Sequence, residues 1–167
     1  IHLNQTLEKA GLDVVETDLG EYIIQLANEM PSHIIAPAMH KTRSQISELF
    51  HTHHQALGYV EKATTREEIV SEARQVLRDV FVSADVGITG ANFLVAETGS
   101  NVIVTNEGNG DLTSCLPRVQ IITAGIEKVI PSLEDLSVFL RLLARSATGQ
   151  EMSAYTTLYT GPRRDDD

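Results

Sequence analysis

Cysteine is almost missing from this chain of 167 residues: Cys115 stands alone. A single thiol excludes an internal disulfide and the Cys-rich framework of small secreted domains, and it fits a reducing compartment. It is also three short of the four cysteine ligands that an iron–sulfur cluster normally takes. Basic side chains are scarce, 13 against 23 acidic ones, for a net charge of −10. Such a surface repels a phosphate backbone and an anionic membrane face, so nucleic acid is not an expected partner. A small anion stays admissible, because an acidic protein can still focus a local positive field. No apolar run approaches the roughly 18 residues of a membrane helix. The start Ile1-His2-Leu3-Asn4 has neither the basic region nor the apolar core of a signal peptide. A cytoplasmic chain without a membrane span is therefore expected. There is no repeat at 20 to 50 residues, no G-x-x-x-x-G-K-[ST] phosphate loop and no G-x-S-x-G elbow.

The composition itself is that of a folded domain, with 42% apolar residues and a length that buries about two thirds of the unfolded surface. Short β-favouring runs alternate with helix-period runs, which predicts an α/β fold with a mixed, largely parallel sheet and flanking helices. Asp13-Val14-Val15 reads as a strand before an amphipathic helix at Glu21–Leu26, and His33–Ala36 as a strand before a helix beginning near Thr42. Thr65 with Glu68 forms a capping box for the longest helix, whose stripe Ile69, Ala73, Val76, Leu77 and Val80 should pack on a sheet. Strands follow at Val86–Thr89, Phe93–Ala96, Val102–Thr105 and Val119–Ile122, the second and third joined as a hairpin. Ser132 or Glu134 opens a helix with Leu136, Phe139, Leu140 and Leu143 facing inward and Gly149 as its stop, and a strand at Tyr155–Tyr159 ends the pattern.

Ligands in open α/β sheets collect in loops beyond the carboxyl ends of strands, which singles out three segments. Pro37–Lys41 offers His40, able to exchange a proton near neutrality, beside the positive Lys41; a surface pair leading into a helix is the plainer reading. His33, at the start of an apolar strand, is expected to be a buried structural histidine. Gly87–Asn92, with Thr89, Gly90, Ala91 and Asn92 at its end, lets a second backbone or a ligand come close, but it lacks the spacing of a dinucleotide fingerprint. Asn106-Glu107-Gly108-Asn109 runs from a strand into a glycine loop and a helical turn, which can present backbone N–H groups to an anion, although Asp111 would oppose one. Glu97 and Glu107 are the carboxylates whose pKa burial would raise toward general-base use, or else turn residues accepting backbone bonds. His51 and His54 share a helical face beside His53. With no nearby cysteine and no carboxylate as third ligand, a polar helix end is the preferred reading, and no metal is assigned.

Several of these segments, in this order, resemble the LUD domain of LutB-type lactate-utilisation iron–sulfur proteins. The blocks are Val15–Glu21, Pro31-Ser32-His33-Ile34, Gly87–Ser100, Asn106–Asn109, Gly125–Val129 with Pro131, Arg145–Gln150 and Thr160-Gly161-Pro162-Arg163. The resemblance implies one LUD domain over residues 1–163, followed by a polar tail at 164–167, with a fold similar to the NagB/RpiA/CoA-transferase class. It also implies a fragment of a longer chain, an expectation that the missing initiator Met and the abrupt polar end share. The family acts with a second iron–sulfur protein and a further LUD protein to oxidise L-lactate to pyruvate, its [4Fe-4S] clusters held in a ferredoxin-like segment absent from these residues.

What the resemblance implies for this stretch is therefore no cofactor of its own, no turnover alone, and no assigned catalytic residue. L-lactate or another small anion is the expected ligand, at Thr89–Asn92, Glu97, Asn106–Asn109, His40 and Lys41. Two other readings stand beside it. One is a small-molecule enzyme related to CoA-transferases or sugar-phosphate isomerases that uses Glu107 or His40, and the other is a non-catalytic assembly module.

Overall fold

The computed structural model describes residues 3–34 and 36–162. Ile35, within the strand expected at His33–Ala36, lies outside the described residues, as do Arg163 and the polar tail. The chain divides into two compact units, residues 1–82 and 83–167.

The first unit is helical: α1 (Leu3–Lys9), α2 (Leu19–Ala27), α3 (Arg43–His54) and α4 (Arg66–Ser83), the last ending at the division. Local chemistry sets the helix starts. Asp18 accepts from the Gly20 N–H at 2.8 Å, Thr42 and Gln45 close a capping box, and so do Thr65 and Glu68. Neither expected strand of this unit forms among the described residues. The Gln25 side chain takes the bonds a neighbouring strand would have made, donating to the Val14 carbonyl at 2.7 Å and accepting from the Glu16 N–H at 2.9 Å. Around His33, short-range bonds close the chain on itself: Ser32 N–H to the Pro37 carbonyl, and Ala36 N–H to His33 Nδ1. His33 is thus exposed rather than buried, and Ile34 is 94% exposed.

The stripe on α4 packs on helices, not on a sheet. Ile69, Ala73, Val76, Leu77 and Phe81 meet Tyr22 and Ile23 of α2 and Phe50 of α3, the last fully buried. Within this core sits a polar chain. The Tyr22 hydroxyl lies 2.8 Å from His54 Nε2, and His54 Nδ1 lies 2.6 Å from Glu72 Oε1. His54 is therefore a core residue and not part of a polar helix end, because Tyr22 and Glu72 together satisfy both ring nitrogens.

The second unit holds β1 (Val86–Gly90), β2 (Phe93–Val95), β3 (Ser100–Thr105), α5 (Asn109–Cys115), β4 (Val119–Thr123), β5 (Val129–Ile130), α6 (Leu133–Thr148) and β6 (Tyr155–Thr160). It is α/β, with helices flanking open sheets. β1 pairs with β4 in parallel, and a four-stranded sheet runs β5-β2-β3-β6, parallel at β5–β2 and antiparallel at β2–β3 and β3–β6. Ser132 caps α6 and Gly149 ends it in the left-handed region, as their sequence positions foretell. α6 covers one sheet face through Leu136 and Leu140, against Val95, Val102 and Ile130. Phe139 meets Phe93 at 5.4 Å between ring centroids but stays 44% exposed.

α5 lies between β3 and β1, at distances only glycine permits. A Cβ on Gly110 would come within 2.8 Å of Thr105 Cγ2, and one on Gly87 within 1.9 Å of the Thr113 carbonyl oxygen. Gly87→Ala should therefore force the α5 backbone away from β1 and cost about 1–3 kcal/mol, the usual range for overpacking. Urea unfolding measures this, and an unchanged midpoint would mean that α5 is not held there. A second prediction concerns Glu21, whose carboxyl is pushed up to about 7 by burial first and then by neighbouring Asp18. A raised carboxyl stabilises the fold when protonated. That contribution is complete below the ordinary value of 4.5 and is lost as the pH rises through about 7. Between pH 5 and pH 8 the unfolding midpoint of Glu21→Gln should gain on that of the parent protein; parallel pH profiles would refute the assignment.

Candidate functional site

Strand register decides where a ligand can sit in the second unit. Leu94 of β2 and Tyr159 of β6 lie directly opposite Asn101 of β3 on its two sides. Alternate residues share a face, so Asn101 points away from the α6 side that Val102 packs against. Gln120 and Ile122 of β4, Ala124, Gly99 and Gly161 complete the lining of a cleft of about 390 Å³. That is the size of a small-molecule site.

The cleft is polar where it is most buried. Asn101 is 5% exposed, yet neither its Oδ1 nor its Nδ2 has a hydrogen-bond partner, and Gln120 Nε2 has none either. Buried polar atoms are paired as a rule, and each one left without a partner costs about 1–3 kcal/mol. Asparagine is also disfavoured inside a strand. These three carboxamide atoms, left without a partner in the protein, are suited to receive a ligand. Tyr159 does have partners: its hydroxyl donates to Asp111 Oδ1 at 3.0 Å and lies 3.6 Å from the Cys115 thiol. Burial first, then Cys115 and Asp111, hold this phenol above its usual range, so it stays protonated at neutral pH. Among the described residues that line it, none carries a carboxylate, imidazole or thiol. The amides of Asn101 and Gln120 equip the cleft for hydrogen-bonded recognition. A larger concavity of about 610 Å³ runs along α4, but every residue lining it belongs to that one helix.

The family comparison is decided by a match over residues 2–167 to the LUD domain. The chain belongs to the LUD-domain family. It is 50% identical over 166 residues to Lactate utilization protein B of Anoxybacillus flavithermus, covering 99% of this chain and 34% of that protein. The protein of the same name from Geobacillus sp. WCH70 is 50% identical over 169 residues, with shares of 100% and 34%. That of Bacillus subtilis 168 is 49% identical over 164 residues, with shares of 98% and 33%. The chain thus spans about a third of the length of the curated relatives it matches. No solved structure matches it.

In this LUD domain, none of the residues singled out from sequence lines the cleft. Thr89 and Gly90 end β1 opposite Ile122 and Thr123, with Thr89 Oγ1 buried and without a hydrogen-bond partner, and Ala91 follows in the link to β2. Asn92 closes the hairpin: its N–H donates to the Val102 carbonyl and its Oδ1 accepts from Val104 N–H, both at 2.8 Å. Glu97 accepts from Leu133 N–H at 3.1 Å, at the start of α6. Asn106 and Glu107 lead into Gly108, whose φ of 77° and N–H bond to Thr105 Oγ1 set the entry to α5 at Asn109. His40 and Lys41 belong to the first unit and are both tied to Glu29, at 2.9 and 2.5 Å. The hydrogen bonds from Lys41 first, and then from His40, hold the Glu29 carboxyl below its usual value. Ser32 Oγ lies 2.9 Å from the other nitrogen of His40.

Among the described residues no group of three or more His, Cys, Asp or Glu side chains is placed to hold a metal ion. The family's implied clusters do not fit this LUD domain either, since Cys115 is the sole thiolate donor in the sequence. Nor is any helix of the described residues long and apolar enough to cross a membrane. Sequence reasoning passed over Asn101 and Gln120. Their signal was faint, a polar residue at an alternating position inside each of two apolar strands.

Asn101→Leu should stabilise the unliganded domain by removing the two unpaired atoms. With about 2–4 °C of melting temperature per kcal/mol for a chain of this size, calorimetry should detect a rise of a few degrees. A fall of that size would show that Asn101 is already satisfied.

Proposed function

We propose that this chain is the LUD portion of a lactate-utilisation protein, working in a cytoplasmic oxidoreductase complex that converts L-lactate to pyruvate. The observation that carries the reading is identity of about 50%, over essentially the whole chain, to proteins named Lactate utilization protein B. The match over residues 2–167 also supports treating both units as one LUD domain. In such a complex the partners are a second iron–sulfur protein and a further LUD protein. The [4Fe-4S] clusters belong to the longer protein, outside these residues.

Oxidising lactate to pyruvate removes two electrons and two protons. No described residue lining the cleft is a base, and one cysteine cannot anchor a cluster, so the share proposed for this chain is binding and docking. The loop residues Thr89–Asn92, Glu97 and Asn106–Asn109, with His40 and Lys41, are the proposed contacts for a small anion or for the partner subunits. Anaerobic preparation of the full-length protein tests this reading. Iron and acid-labile sulfide should be present, and lactate should bleach the visible spectrum once the partner subunits are added. A full-length protein without iron, or one that lactate leaves unbleached in the assembled complex, would overturn it.

A further inference from the structure

We propose that the cleft between β3 and β4 binds an adenine-type base, read by the carboxamide of Asn101. The proposal concerns a ligand other than lactate and does not rest on the lactate reading.

The unmet bonds define the ligand. Asn101 offers a donor, Nδ2, beside an acceptor, Oδ1, and both lack partners although the residue is 5% exposed. A group that satisfies both must carry an acceptor next to a donor. A ring nitrogen beside an exocyclic amine does so, and this is the bidentate pairing by which Asn reads adenine. Gln120 Nε2, buried and unpartnered in the same cleft, requires a further acceptor, which another ring nitrogen of a purine provides.

Charge argues against the simpler anionic ligand. Among the described residues the lining holds no Lys, Arg or His, and a carboxylate or phosphate taken out of water without a cation is heavily penalised. A bare carboxylate would also leave Asn101 Oδ1 facing another acceptor. A neutral base meets neither difficulty. The walls suit a flat ring: Leu94 and Ile122 are apolar, and Tyr159 has its hydroxyl tied to Asp111 at 3.0 Å, which leaves its aromatic body as lining. Gly99, in the turn before β3 with φ at 69°, keeps the rim free of a side chain. A volume of about 390 Å³ takes a nucleoside and is too small for a folded partner.

The test is titration of the full-length protein with adenosine, followed by calorimetry and saturation-transfer NMR. Adenosine should bind, with saturation strongest at the purine protons. Purine riboside, identical but for the missing amine, should bind the same protein at least tenfold more weakly. Asn101→Leu should lose at least tenfold in adenosine affinity while its melting temperature holds or rises. The proposal is overturned if adenosine at millimolar concentration does not bind, if purine riboside binds equally well, or if a folded Asn101→Leu binds adenosine unchanged. None of these outcomes bears on lactate-dependent bleaching, so the two readings fail separately.

Discussion

Strand β3 is hydrogen-bonded on both sides, to β2 and to β6, and the four-stranded sheet of the second unit is built around that double pairing. Val102 is completely buried on one face, against the α6 side, while Asn101 and Ile103 turn to the other. A slip of one residue would exchange the two faces, putting a carboxamide into the apolar core and a valine into the cleft. Three features pin the register: the Asn92 side chain bonded to Val104 N–H, the Glu97–Gly99 turn, and the close seat of Gly110 on Thr105 and Ile103. Core and cleft are two sides of one constraint.

The helix boundaries were legible in the sequence because a cap is decided within four residues. Thr42, Thr65 with Glu68, Ser132 and Gly149 all act where their spacing places them. The hairpin was legible for the same local reason. What failed was anything needing knowledge of a distant partner. Asp13–Val15 has the composition of a strand, but a glutamine on α2 took its backbone bonds. The apolar stripe of α4 was read correctly at Ile69, Ala73, Val76 and Leu77 but ends on Phe81 rather than Val80, and a stripe does not say whether a sheet or another helix will cover it. His54 looked like one of three surface imidazoles until Tyr22 and Glu72, 32 and 18 residues away, closed around it. The two-residue β5 carries too little pattern to be seen at all.

The site was legible at the level of family and not at the level of side chains. Loop glycines draw attention because they stand out in a sequence, and here Gly87 and Gly110 serve to bring α5 onto two strands. The cleft residues with unmet bonding capacity are ordinary amides in the middle of strands, and only the folded register shows that both polar atoms of Asn101 and the Nε2 of Gln120 go unanswered.

The polar chain inside the helical unit also sets a chemical boundary. Burial, and then the charge of Glu72, push the Tyr22 phenol up to about 12 from an ordinary 10. A group with a raised pKa supports the fold while it keeps its proton, so this support is whole below pH 10 and disappears as the pH passes through about 12. Ionising Tyr22 would set a phenolate and a carboxylate on either side of one imidazole, in a core otherwise built of Phe50, Ile69 and Leu77. Ionisation of this one buried hydroxyl thus weakens the helical unit at alkaline pH.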